Sequence, residues 1–258
     1  MKNILFFLLI ASVFFIGNIR AQNNYDFNQF ADETADIVKH PLKWNPNDFL
    51  RLGLISGITI GLMQFDKTIK DFSQQDTSQV RGIPLEIGRY WGEPIPTLTI
   101  GLGFLLHGII YENNVNKKVG YEVTQSFVYS TAITGSLKFI IGRARPYTTN
   151  NPFSFNPCRY FSDDYWSLPS GHTTIAFSLS TVLSENINSD ILKILVYLPA
   201  FVTAYSRISY NNHWLSDVFL GGIIGFTMGK FITKVHNKNE WNISPTEQIS
   251  IFHFSYSF

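Results

Sequence analysis

The sequence predicts an all-α protein, a bundle of about six helices, on three observations. Uncharged, mostly apolar windows at residues 52–65, 94–111, 123–137, 173–184, 194–206 and 218–229 alternate with short charged stretches, the pattern of helix cores joined by loops. Period-2 alternation of comparable length is absent outside residues 248–258, where Ile249, Ile251, His253 and Ser255 alternate with more polar or aromatic neighbours; that tail reads as a short strand or as unstructured chain. Glycines recur at every fourth position in the first and last windows, as Gly53, Gly57 and Gly61 and as Gly221, Gly225 and Gly229, which lets helix backbones approach closely.

The segments follow in order. Residues 1–21, with Lys2, an apolar run over 4–16 and Ala21 before Gln22, read as a cleaved secretory signal and imply an exported protein of the periplasm or cell envelope. Removing them leaves 18 basic against 19 acidic residues. With neither a basic patch nor a reader motif, nucleic acid is not an expected partner. The single Cys158 forbids an intrachain disulfide, so packing alone must hold an exported chain. Residues 22–47 form a polar N-terminal segment without recognisable chemistry, residues 48–236 the helical domain, and residues 237–258 a C-terminal tail.

A membrane-spanning helix needs ~20 mainly apolar residues, and only 94–111 comes near. Charges at helix ends can snorkel, however, so uncharged windows understate helix length. The mean hydropathy of +0.05 is low for a polytopic protein. The expectation is a membrane-embedded or membrane-associated bundle, with a soluble exported bundle as the alternative.

Three separated blocks carry the chemistry. Lys138 and Arg145 are seven apart, close to two helical turns, so on one helix both cations would converge on a single anion; Arg207 would be the third. Arginine's planar fork and lysine's compact charge together suit a phosphoryl group. Arg143, five from Lys138 and off that face, reads as a surface charge. Pro169-Ser170-Gly171-His172 reads as a helix start, where the first-turn amides of Gly171 and His172 and the Ser170 hydroxyl can face a bound anion, and where His172 can protonate a departing oxygen. His213 and Asp217, four apart on one helical face, place a carboxylate against one imidazole nitrogen and leave the other free as a nucleophile. Taken singly each block has a bland explanation, but their joint chance occurrence is negligible. Residues 147–166 read as a loop beside the site that influences selectivity.

These blocks resemble the signature of the type 2 phosphatidic acid phosphatase (PAP2) superfamily, to which vanadium haloperoxidases are also similar: a lysine, six residues and Arg-Pro; Pro-Ser-Gly-His; then Ser-Arg, five residues, histidine, three residues, aspartate. Every signature position is met. The resemblance implies a PAP2/haloperoxidase-like helical fold and a hydrolase without metal or cofactor. It further implies that His213 attacks phosphorus to form a phosphohistidine, that Asp217 positions His213 and that His172 protonates the leaving alcohol. Lys138, Arg145 and Arg207 would hold the phosphoryl oxygens with Ser170 and the Gly171 amide. The expected substrate is a phosphorylated lipid such as phosphatidate, a polyprenyl diphosphate or a lipid A phosphate. The alternatives are a broad-specificity periplasmic acid phosphatase acting on small phosphoesters and, ranked last, a vanadium-dependent haloperoxidase.

Overall fold

The computed structural model describes residues 23–75, 82–158 and 162–240. The expected signal segment and the alternating tail lie outside these residues. Ten α-helices run through the described chain: α1 (Phe27–Lys39), α2 (Pro46–Met63), α3 (Asp66–Gln74), α4 (Ile83–Trp91), α5 (Pro94–Ile110), α6 (Asn114–Ile141), α7 (Gly171–Glu185), α8 (Asp190–Leu195), α9 (Leu198–Ser209) and α10 (Leu215–Glu240). Extended backbone pairs only at an isolated antiparallel bridge between Arg143 and Phe155 among the described residues. The expected all-α class holds.

Each apolar window lies in helix, but three helices lie outside them. α1, α3 and α4 carry charges at regular intervals along one face, so a scan for uncharged runs passes over them. The window at 194–206 is broken as well. Pro199 lies in the first turn of α9, where its missing N–H costs nothing, whereas within a continuous helix it would block a hydrogen bond and crowd the preceding turn.

α7 lies at the centre and packs against α6, α9 and α10. Its Leu179 and Val182 join Val119 and Val123 of α6 in the apolar core. It also buries Ile175 and Ala176 and a row of paired polar side chains: Ser178 hydrogen-bonds Ser126 at 2.6 Å, and Ser180 accepts from Trp91 Nε1 at 3.0 Å. α1 is held by a second polar cluster, in which Glu33 Oε2 and Glu122 Oε1 lie 3.3 and 3.1 Å from the two ring nitrogens of buried His236 on α10.

The two glycine ladders part ways. A Cβ on Gly225 would stand 2.2 Å from the Thr174 carbonyl, and one on Gly221 2.5 Å from that of Ser170, so α10 and α7 touch backbone to backbone. Gly53, Gly57 and Gly61 have open space around them. The expectation of close packing on that first ladder is therefore not met within this chain.

By length and composition, Asp190–Ser209 and Leu215–Asn237 are apolar enough to cross a membrane. The bent pairs α2–α3, at 51°, and α4–α5, at 58°, each pass the same test as one unit. Leu54, Ile58, Leu106, Ile110, Ile194 and Phe201 are among many large apolar side chains left exposed on these helices, far more than single scattered residues would account for.

Candidate active site

The three sequence blocks meet at one end of the bundle. Lys138 is in the last turn of α6, Ser170 to His172 begin α7, Arg207 is in the last turn of α9, and His213 to Asp217 lead into α10. Backbone bonds join these ends directly. Ser170 N–H donates to the Asp217 carbonyl at 2.9 Å, and His213 N–H to that of Arg207 at 3.2 Å. The Arg207 carbonyl also takes the Asn212 amide at 3.1 Å, and Asn211 adopts a left-handed φ of 59°, so the chain reverses tightly and sets His213 six residues beyond Arg207.

Two helical expectations need correction. Lys138 and Arg145 do not share a helix face, because α6 stops at Ile141 and Gly142 takes a φ of +58° against the Asn156 carbonyl, where any Cβ would collide. Beyond that turn a 3.6-residue period has no meaning, and Arg145 reaches the site from extended chain. Likewise His213 is not on a helix with Asp217; it sits in the turn before α10. The two side chains nonetheless lie close, with His213 Nδ1 3.6 Å from Asp217 Oδ2.

Arg143 is the third correction. It is fully buried, not a surface charge, and all five of its N–H donors are used. Nη1 donates to Asp217 Oδ1 at 2.6 Å and to Ser216 Oγ at 2.7 Å; Nη2 donates to Asp66 Oδ2 and to the Pro152 carbonyl, both at 2.7 Å; Nε donates to Pro152 at 2.9 Å. Asp217 Oδ2 is held in addition by Ser167 Oγ at 2.5 Å and the Trp214 amide at 2.9 Å. Asp217 is thus buried and anchored by three donors besides its approach to His213.

The cations differ in how free they are. Lys138 Nζ donates to the carbonyls of Trp166 and Ser167, across from the α7 start. Arg145 is engaged by Asp163 of the 147–166 loop, through Nε to its carbonyl at 2.8 Å and Nη2 to Oδ1 at 2.5 Å, so that loop does lie against the site. Arg207 is almost completely buried, and its Nε has no partner among the described residues. A buried, unpartnered guanidinium donor is costly unless an anion takes it.

Beside Arg207 opens a cavity of about 510 Å³ lined by Glu86, Arg89, Glu93, His172, Arg207, Tyr210 and Asn212. Glu93 Oε1 lies 3.3 Å from His172 Nε2 and also takes Arg89 Nη1 at 3.1 Å. Sequence reading missed Arg89 and Glu93, since their spacing looks like ordinary charge pairing along a helix. Asp66 was missed for a similar reason, as one charge just past an apolar window. Burial, with Arg207 facing it, holds the His172 imidazole down to about 4. Burial, and then the cations Lys138, Arg145 and Arg207, push His213 well below the usual imidazole range. Both rings are therefore neutral at ordinary pH, as a nitrogen nucleophile must be.

The helical bundle thus gathers three cations, two neutral histidines and a buried aspartate at one end. Residues 122–241 match the PAP2 superfamily. It is 39% identical over 66 residues to a lipid A 1-phosphatase of Porphyromonas gingivalis, covering 25% of this chain and 15% of that one. It is 30% identical over 110 residues to an undecaprenyl-diphosphatase of Sulfolobus acidocaldarius, covering 42% of this chain and 51% of that one. This chain thus spans about half or less of the length of these curated relatives. A transmembrane PAP2-type phosphatidylglycerolphosphate phosphatase of Bacillus subtilis has the same fold, with a TM-score of 0.54 and 18% identity over 75% of this chain and 97% of that one.

Proposed function

We propose that this protein is a metal-independent phosphatase that hydrolyses the phosphate monoester or diphosphate of a lipid in the cell envelope, through a phosphohistidine on His213. The observation that carries the reading is the convergence of Lys138, Arg145 and Arg207 on neutral His213, with the Arg207 Nε buried and awaiting an anion. In the first step the free nitrogen of His213 attacks phosphorus, the phosphorus–oxygen bond to the alcohol breaks, and His172 gives that oxygen a proton. Water then attacks the phosphohistidine, releasing inorganic phosphate and restoring the imidazole. Lys138, Arg145, Arg207, Ser170 and the Gly171 amide stabilise the transferring group's charge. The lipid class is supported by the names of the relatives and by the apolar helix faces flanking the site. The sequence of residues 1–21 supports export, with the site facing the periplasm.

The test is a phosphate-release panel in detergent, with and without chelator, on phosphatidate, a polyprenyl diphosphate, a lipid A phosphate and a soluble aryl phosphate. Turnover of a lipid substrate that survives chelation is expected. Activity abolished by chelator and restored by magnesium would overturn metal independence, and turnover confined to the aryl phosphate would move the protein to the soluble-substrate class.

His172 gives a sharper expectation. Its ring is neutral in the free protein above a pH of about 4, so the proton it delivers arrives with the monoanionic phosphate, whose second pKa is ~6. The value of kcat/KM is therefore expected to fall as pH rises through that region. His172→Ala is expected to slow alkyl phosphates by roughly 10²–10⁴-fold and an aryl phosphate much less, because a phenolate departs with little help. Equal losses on both would remove His172 from the role of acid.

A further inference from the structure

We propose that Asp66, on α3 and outside the residues matched to the superfamily, is a positioning residue that acts on His213 through Arg143 and Asp217. The inference rests on the phosphohistidine reading above and extends it to residues outside the sequence signature.

The direction of every proton in the cluster is fixed by counting donors. Arg143 Nη1 gives one proton to Asp217 Oδ1 and one to Ser216 Oγ. Ser216, having accepted, gives its own hydroxyl proton to Asp66 Oδ2 at 2.6 Å, where Arg143 Nη2 also donates. Asp66 Oδ1 takes the Ser216 amide at 2.9 Å. Each partner of both side chains can donate; burial raises Asp66 above the usual carboxylate range while its bonds from Ser216 and Arg143 pull it back down, and Asp66, Arg143 and Asp217 are all fully buried.

Charge gives the arrangement its purpose. A lone Arg143–Asp217 pair would be neutral and would offer little to an imidazolium beside it. Because Asp66 takes half of the guanidinium fork, the three groups together keep one negative charge. Its end nearest the site is Asp217 Oδ2, 3.6 Å from His213 Nδ1. His213 gains positive charge when it bonds phosphorus, within reach of three cations that oppose that gain. Inside a low-dielectric core, the uncompensated charge on the cluster is the nearest counterweight. Asp66 touches neither substrate nor His213; it sets how much of the charge on Asp217 is available.

The experiment uses the full chain in detergent, with the aryl phosphate and phosphatidate micelles as probes, and compares wild type, Asp66→Asn, Asp217→Asn and the double variant. Asp66→Asn is expected to lower kcat by roughly 10–100-fold, by analogy with outer partners of other site residues, while KM moves less than about threefold. In the Asp217→Asn background the same change is expected to have little further effect on kcat, since its route to His213 is already cut. A purely structural residue would remove the same fraction of active protein in both backgrounds, so additive losses overturn the inference, as does an unchanged kcat. If Asp66→Asn does not fold, Ser216→Ala takes its place: it removes the hydroxyl that bridges Arg143 and Asp66 beside their direct contact and is expected to lower kcat by a smaller factor, so unchanged kcat there overturns the inference. Wild type that turns over neither probe and forms no phosphoenzyme would sink the phosphatase reading itself, a different outcome from an active wild type indifferent to Asp66.

Discussion

His213→Ala is expected to lower turnover by roughly 10⁴–10⁶-fold and to abolish the acid-quenched phosphoenzyme, because no other side chain at the site can take over the bond to phosphorus. The geometry argues for His213 rather than His172 as the nucleophile. His213 is almost wholly buried, its Nδ1 faces Asp217 without a closer partner, and Lys138, Arg145 and Arg207 all act on it. His172 is partly exposed at the cavity wall and faces Glu93, the position of a group that meets a leaving oxygen. Rapid quenching with a phosphorus-labelled substrate separates the two: label must vanish in His213→Ala and persist in His172→Ala. Label that survives in the first and vanishes in the second would exchange their roles.

The second large effect is expected at Asp217. Asp217→Asn should lower turnover by about 10²–10⁴-fold, the scale set by loss of a histidine-orienting carboxylate in a serine triad. Here both oxygens accept only from donors, Oδ1 from Arg143 and Oδ2 from Ser167 and the Trp214 amide. An asparagine amide would have to turn its own N–H groups toward one of these donors, so the carboxamide cannot satisfy the site. The helix itself should survive, since the tight α7–α10 contact does not involve this side chain. Turnover and pH dependence measured on variant that melts as a folded protein provide the check; near-normal values would show that Asp217 does not orient His213.

The site was more legible in the sequence than the structure that supports it. Residue types such as Lys138, Arg207 and His213 advertise their chemistry wherever they fall. Arg143 was misread because helical arithmetic was carried past Gly142, whose left-handed φ reverses the chain and sends Arg143 inward. Nothing local marks Asp66 as a partner, since the contact joins residues 77 and 150 positions apart, to Arg143 and Ser216 respectively. Among the helices, the uncharged ones were visible from composition. α1, α3 and α4 were not, because amphipathic helices declare themselves by period rather than by absence of charge.

The glycines of α10 carry a mechanical consequence. Where Gly221 and Gly225 rest on the carbonyls of Ser170 and Thr174, no side chain lies between the two backbones that could change rotamer and let them slide. The helix that carries His172 in its first turn and the helix that His213 leads into are therefore a single stiff plate, and the spacing of the two imidazoles is set by main chain in contact with main chain. The end of α4 is braced in the same way: a Cβ on Gly92 would stand 2.6 Å from the His172 carbonyl oxygen and one on Gly88 2.8 Å from the Val202 carbonyl carbon, so main chain meets main chain beside Glu93 as well.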